Sequence, residues 1–182
     1  MLAQHEGFGY AARMLSVVIE TKNDEEGLAR TLATLIGGAV EGVVREVIVC
    51  DRGSRDETHY VAEHAGCSFV EGAVGVGIAQ AKCDWLLLLE PGARLVDGWT
   101  DDVMRHISRA TMAARFRRSK SSARPFWSRL ASRPRALEQG LVITKRQAAV
   151  LGRAGADAEA IARGLAMKTL EAEIVVAPAR GA

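Results

Sequence analysis

The chain has no long apolar run. Its longest, Trp85–Leu89, falls far short of the ~20 residues that a membrane-crossing helix requires. No charged-then-apolar secretory signal opens it, and no internal repeat or low-complexity segment interrupts it. Net charge is small, +2, so no overall field calls for a nucleic-acid partner. Cysteine is scarce: Cys50, Cys67 and Cys83 are odd in number and lack a C-x-x-C spacing. That pattern argues against a disulfide frame or a zinc site and fits reduced thiols in a cytoplasmic protein. What remains is 182 residues, 48% hydrophobic and 25% charged, enough for one domain with a sizeable core. Residues 1–13 are irregular and Met14 reads as a natural start. The first thirteen are therefore expected to be a leader or an added extension, with a single domain over 14–182.

Three short apolar segments each run straight into a polar turn. Leu15–Ile19 leads to Glu20-Thr21-Lys22-Asn23-Asp24-Glu25-Glu26. Val47–Cys50 leads to Asp51-Arg52-Gly53-Ser54-Arg55-Asp56-Glu57-Thr58, and Trp85–Leu89 leads to Glu90-Pro91-Gly92. Buried parallel strands read as continuous apolar runs, and ligands of such sheets sit outside the carboxyl ends of the strands. The three turns are therefore expected to converge on one crevice.

Helical signals lie between the strands. Asn23 or Asp24 caps a helix with Glu25 and Glu26 in its first turn, where the dipole favours acids. Leu28, Leu32, Leu35 and Ile36 make its inward stripe, and Gly37-Gly38 is expected to end it. Ser54-Arg55-Asp56-Glu57 reads as a capping box for a helix through Ala65, which carries His59 and His64 on a solvent-facing side. A strand at Cys67–Val70 precedes Gly75–Ala81, read as a glycine-rich turn that enters a brief helix. That turn is either structural or a phosphate cradle. Further on come a helix over Trp99–Ala110, a strand at Gly140–Thr144, helices at Lys145–Leu151 and Asp157–Ala166, and a strand at Ala172–Ala177. Strand–helix units in series require right-handed crossovers and a parallel sheet.

Residues 105–135 form a basic segment: Arg105, Arg109, Arg115, Arg117, Arg118, Lys120, Arg124, Arg129, Arg133 and Arg135, with no acid between Asp102 and Glu138. Phe116, Phe126 and Trp127 are interleaved. Such a stretch is a solvated loop, or a surface for anionic membranes and lipid phosphates. A nucleic-acid role is the weakest reading, since no recognition motif accompanies it.

Taken together, the turns resemble those of family 2 glycosyltransferases of the GT-A fold, which move a sugar from a nucleotide-diphosphate donor. The family's P-T-x-N-E-E corresponds to Glu20–Glu25, with Thr21, Asn23 and Glu25 matching and Glu20 in place of proline. Its V-D-D-G-S-x-D-x-T corresponds to Cys50–Thr58, with Asp51, Gly53, Ser54, Asp56 and Thr58 matching and Arg52 in place of the second aspartate. The resemblance implies a three-layer α/β/α sandwich with a mostly parallel central sheet. It also implies a nucleotide-binding half over 14–99 and an acceptor half over 100–182. By the same resemblance Thr21, Asn23, Glu25, Asp51, Arg52 and Gly53 would surround the nucleoside.

Two family motifs are degenerate. G-D-W-apolar-D-A-D becomes Cys83-Asp84-Trp85, the apolar run, then Glu90-Pro91-Gly92, so Glu90 alone could serve a Mn or Mg ion, and a hard cation wants several oxygens. The late E-D pair that supplies the catalytic base is matched only by Asp157-Ala158, leaving Asp157 as the nearest acid. Lys82, Glu90 and Arg94 are the residues expected near the diphosphate and sugar, with Arg52, Lys82 or Arg94 offsetting phosphate charge if no metal does. These losses leave open a metal-weakened or metal-independent transferase, a non-catalytic nucleotide or partner binder, and a membrane- or polyanion-docking module; the protein is expected in the cytoplasm or peripheral at the inner face of the membrane.

Overall fold

A computed structural model describes residues 14–122, 135–152, 156–163 and 165–178. The expected extension at 1–13, and Arg124, Phe126, Trp127, Arg129 and Arg133 of the basic segment, lie outside the described residues. In chain order the elements are β1 (Leu15–Thr21), α1 (Glu25–Val40), β2 (Val44–Asp51), α2 (Thr58–His64), β3 (Ser68–Glu71), α3 (Val74–Gln80) and β4 (Trp85–Leu89). There follow β5 (Arg94–Leu95), α4 (Trp99–Ile107), β6 (Ala114–Arg118), β7 (Leu141–Thr144), α5 (Lys145–Gly152), α6 (Ala158–Ala162) and β8 (Lys168–Val175), with a 3-10 turn at Lys120–Ser122.

Among the described residues eight strands form one sheet in the order β3-β2-β1-β4-β7-β6-β8-β5. The first four pair in parallel, as strand–helix–strand units dictate. Beyond β4 the sheet is mixed: β7 runs antiparallel to both β4 and β6, and β6 is parallel to β8. Four of the seven pairings are parallel.

Helices cover both faces. Leu15, Val17, Ile19, Leu87 and Leu89 pack with Leu28, Leu32 and Leu35 of α1 and Val103 of α4. Val18, Ile48, Cys50, Leu86 and Leu88 pack with Val74 and Ile78 of α3, Ala148 of α5 and Ile161 of α6. All five residues of β4 are buried, because this strand lies between β1 and β7 with helices above and below. Cys50 and Cys83 are buried and Cys67 partly so, all three free, and burial pushes the thiols of Cys50 and Cys67 up to about 12 and about 11.

Several expectations are corrected. Gly37-Gly38 does not end α1, which runs on to Val40. Gly38 instead lets the Trp99 ring approach, since a Cβ there would lie 2.6 Å from it. Ile36 is 63% exposed, and Thr31 takes a place in the buried stripe. The glycines Gly75 and Gly77 lie within α3, not in a turn before it. A Cβ on Gly77 would stand 2.4 Å from Cys50 Sγ, so that glycine seats the helix on the sheet and makes no phosphate cradle. Strand β6 lies inside the basic segment, where no strand was expected. Ala114 and Phe116 alternate inward between arginines, a period-two pattern that the charge count hides.

Candidate functional site

The first two polar turns are stitched together backbone to side chain. Asp24, not Asn23, is the N-cap of α1, its Oδ1 accepting from Gly27 N at 3.1 Å. Asn23 sits at φ 49, a left-handed conformation Asn tolerates, and spends its polar groups on the neighbouring turn. Its N–H donates to Ser54 Oγ at 2.8 Å and its Oδ1 accepts from Arg55 N at 2.7 Å. Glu25 N donates to Asp56 Oδ2 at 3.2 Å, while Glu25 Oε2 accepts from Glu57 N at 2.7 Å. Asp56 also accepts from Thr58 N and Thr58 Oγ1, so one carboxylate serves the starts of both α1 and α2. Burial acts to raise Asp56, but these hydrogen bonds outweigh it and hold the carboxyl below its ordinary range.

The expected Ser54 capping box does not form. The N-cap of α2 is Glu57, without a side-chain bond, and Ser54 turns back to Asp51. Asp51, 6% exposed, closes its own turn: Oδ2 accepts from Gly53 N at 3.1 Å and Ser54 N at 2.9 Å, and Oδ1 from Ser54 Oγ. Gly53 permits that turn with φ 84. A carboxylate offers about four lone-pair sites, so Asp51 keeps room for one further donor. Thr21, level with Asp51 across the β1–β2 pair, has a buried hydroxyl with no hydrogen-bond partner among the described residues. Asp51, Arg52, Gly53, Ser54, Glu71, Gly72 and Ala73 line a cleft of about 480 Å³ at the carboxyl ends of β2 and β3.

The two departures within these turns are partners. Arg52 Nη1 lies 3.2 Å from Glu20 Oε1, and Glu20 Oε2 accepts from Val74 N at 2.8 Å, the first residue of α3. A glutamate in place of proline and an arginine in place of aspartate thus neutralise each other beside the cleft. Neither substitution signals the other in the sequence, because thirty-two positions separate them.

The third turn lies at the same rim. Ile19 is level with Leu89 and Thr21 with Asp51, so Asp51 and Glu90 stand about 10 Å apart across two strand spacings. Gly92 N donates to Gly27 O at 2.8 Å and to Thr31 Oγ1 at 2.9 Å, fixing the turn on α1. Glu90 is ion-paired with Arg135 Nη1 at 3.3 Å, and Arg135 Nη2 donates to Ala177 O at 3.0 Å. Nothing local singles out Arg135 from the basic segment, because 45 positions separate it from Glu90.

This donor set does not fit a divalent metal. Glu90 holds a guanidinium, Pro91 offers no oxygen side chain, and a Cβ on Gly92 would meet Pro178 at 3.2 Å and Ala177 at 3.4 Å. Among the described residues no group of three or more His, Cys, Asp or Glu could hold an ion.

Other expected site residues lie elsewhere. Lys82 pairs with Glu46 at 3.2 Å, and Ser16 Oγ donates to that same carboxylate. Burial raises Glu46, but the bonds from Ser16 and Lys82 outweigh it and hold the carboxyl below its ordinary range. Ser16 is the second residue of β1, so Lys82 is about 16 Å from the rim and contributes nothing to a diphosphate site there. Arg94 is on the two-residue edge strand β5, exposed and without an ion pair among the described residues. Asp157 is the N-cap of α6, its Oδ1 accepting from Ala160 N at 2.7 Å. The neighbouring Glu159 accepts from Ala136 N at 2.6 Å and Leu137 N at 2.9 Å, which anchors the segment that delivers Arg135.

The basic segment is partly neutralised: Arg105 pairs with Asp102, Arg117 with Glu171 and Arg118 with Glu138. No helix among the described residues is long and apolar enough to cross a membrane.

No family model matches the chain. It is 32% identical over 102 residues to a TPR repeat-containing protein of Synechococcus elongatus, covering 51% of this chain and 24% of that protein. Among solved structures it is similar to glucosyl-3-phosphoglycerate synthase from Mycobacterium tuberculosis. One such structure, in complex with Mn2+, UDP and glucosyl-3-phosphoglycerate, superposes with a TM-score of 0.53 at 19% identity over 81% of this chain and 64% of that one. Another superposes with a TM-score of 0.58 at 15% identity over 99% of this chain and 78% of that one. The chain therefore spans about a quarter of the curated relative and about two thirds of the first solved neighbour. The architecture is that of the GT-A glycosyltransferases, with a large mixed sheet between helical layers.

Proposed function

We propose that this domain binds a nucleotide-diphosphate sugar at the carboxyl rim of β1, β2 and β4 and acts as a glycosyltransferase of the GT-A type. The observation that carries the reading is the interlock of Asn23, Glu25, Asp51, Ser54 and Asp56 beside the 480 Å³ cleft. Those contacts hold the Asp51 turn rigid while leaving the carboxylate one acceptor site, which suits an N–H donor of a base. In this reading Thr21, Asp51 and Gly53 touch the nucleoside, whereas Asn23 and Glu25 position the turns. Arg52 forms the wall with Glu20. The solved relatives of this fold hold UDP, or UDP-glucose with phosphoglyceric acid, which makes a nucleotide-sugar donor the first class to test.

Thermal unfolding measured against UDP, GDP, ADP and CDP tests this directly. A stabilising shift with at least one of them is expected. No shift with any would remove the nucleotide reading.

A second reading is favoured by the late acids. Asp157 caps a helix and Glu159 holds two backbone amides, so neither is placed as an uncommitted base. General-base catalysis contributes ~100- to 10,000-fold, so a domain without one would bind its nucleotide and turn it over slowly or not at all. Donor hydrolysis or transfer to a broad acceptor panel separates the two readings; turnover above the uncatalysed rate favours the enzyme.

A further inference from the structure

We infer that the guanidinium of Arg135, anchored by Glu90, takes the place of a divalent cation and holds the donor diphosphate without metal. The inference rests on the nucleotide-sugar reading above and concerns the same rim. Glu90 directly follows β4, one strand over from Thr21 and about 10 Å from Asp51, a span a nucleoside diphosphate can bridge from base to phosphates.

The charge balance supports the substitution. Carboxylates that hold a divalent ion make a corner close to neutral overall, with its positive end facing the phosphates. Glu90 and Arg135, 3.3 Å apart, reproduce that arrangement with one charge of each sign. Guanidinium carries five N–H donors in a planar fork. Nη1 is ion-paired with Glu90 and Nη2 donates to Ala177 O, while the side chain stays 28% exposed, so donors remain for phosphate oxygens. Its backbone is equally fixed. The two amides that follow, Ala136 and Leu137, are held by Glu159 of α6, so Arg135 is presented from an anchored segment. The closed space at Gly92, against Ala177 and Pro178, removes the position from which a second carboxylate would reach a metal.

Isothermal titration of the full chain with UDP and GDP, first in EDTA and then in MnCl2, tests the proposal. Binding in EDTA within about threefold of that in MnCl2 is expected. Arg135→Gln should weaken the diphosphate by about tenfold or more, the step that a charge-assisted hydrogen bond supports, and leave the parent nucleoside within about twofold. Arg135→Lys should fall between, since a point charge remains but the fork is lost. Glu90→Gln should also weaken the diphosphate selectively by loosening the guanidinium.

Three results would overturn this. Diphosphate binding that appears only with Mn2+ would sink it while leaving the nucleotide reading intact. An equal loss for nucleoside and diphosphate in Arg135→Gln would reduce Arg135 to a structural brace. Absence of any nucleotide binding in either buffer would remove both the inference and the reading beneath it.

Discussion

The two halves of the rim differ in what side chains they spend on themselves. At the β1–β2 turns, Asn23, Glu25, Asp51, Ser54 and Asp56 bond across the gap between loops, and a cleft remains open beside them. At the β4 turn the chain closes on itself: Glu90 meets Arg135, and Gly92 lies against Ala177 and Pro178. The first region is rigid yet leaves a place for a ligand. In the second, an internal guanidinium is ion-paired with the carboxylate at the end of β4. Residues that match a family pattern can spend their polar groups on a neighbouring turn, as Asn23 and Glu25 do. Residues outside the pattern, such as Arg135, can reach the same rim.

Breaking the first region should give the largest effect. Asp56→Ala removes the acceptor for two helix starts and is expected to cost about 3 kcal/mol in urea unfolding, at about 1 kcal/mol for each of the three hydrogen bonds it accepts. The same carboxylate predicts a pH dependence. Its folded pKa lies below its ordinary 3.8, so the contribution is present above that value and is lost as pH falls through the folded pKa. Asp56→Asn should flatten the acid limb of the stability profile. An unchanged limb would mean that the interlock contributes little.

Rebuilding the family pattern in the second region should have an intermediate effect. Gly92→Asp places a Cβ at φ 90 against Pro178 and should destabilise by about 2 kcal/mol without creating a Mn2+ requirement for nucleotide binding. A gain of Mn2+ dependence in titration calorimetry would show that the corner can reopen. The smallest effect belongs to the wall of the cleft. Arg52→Asp sets a carboxylate against Glu20, and with Arg52 48% exposed the loss should stay below about 1 kcal/mol, measurable as a shift in the denaturation midpoint that salt diminishes.

The parallel half of the sheet was legible because β1, β4 and the carboxyl half of β2 are largely buried on both faces and read as unbroken apolar runs. Leu15–Ile19, Val47–Cys50 and Trp85–Leu89 all fall within strands of the structure. The mixed half was harder. Strand β6 carries three arginines that disguise its alternation, and β5 is two residues long. Glycine misled twice for one reason: Gly38 and Gly77 are required by a neighbouring ring and a neighbouring sulfur, and nothing local distinguishes that need from a turn. Of the candidate site, the convergence of Asn23, Asp51 and Glu90 at one rim followed from strand–turn order alone. Lys82 did not follow, because it precedes β4 and so belongs to the opposite end of the sheet.

Burial pattern and turn chemistry are local, so the amino acids by themselves dictated the parallel strands, the helices between them and the rim at which polar turns gather. Partnership between distant charges is not local. That Glu20 would find Arg52, and Glu90 would find Arg135, depended on strand order and on where the segment after residue 134 returns to the sheet. Coulomb attraction acts through space and leaves no mark on sequence spacing, so only the folded chain could decide which charge meets which.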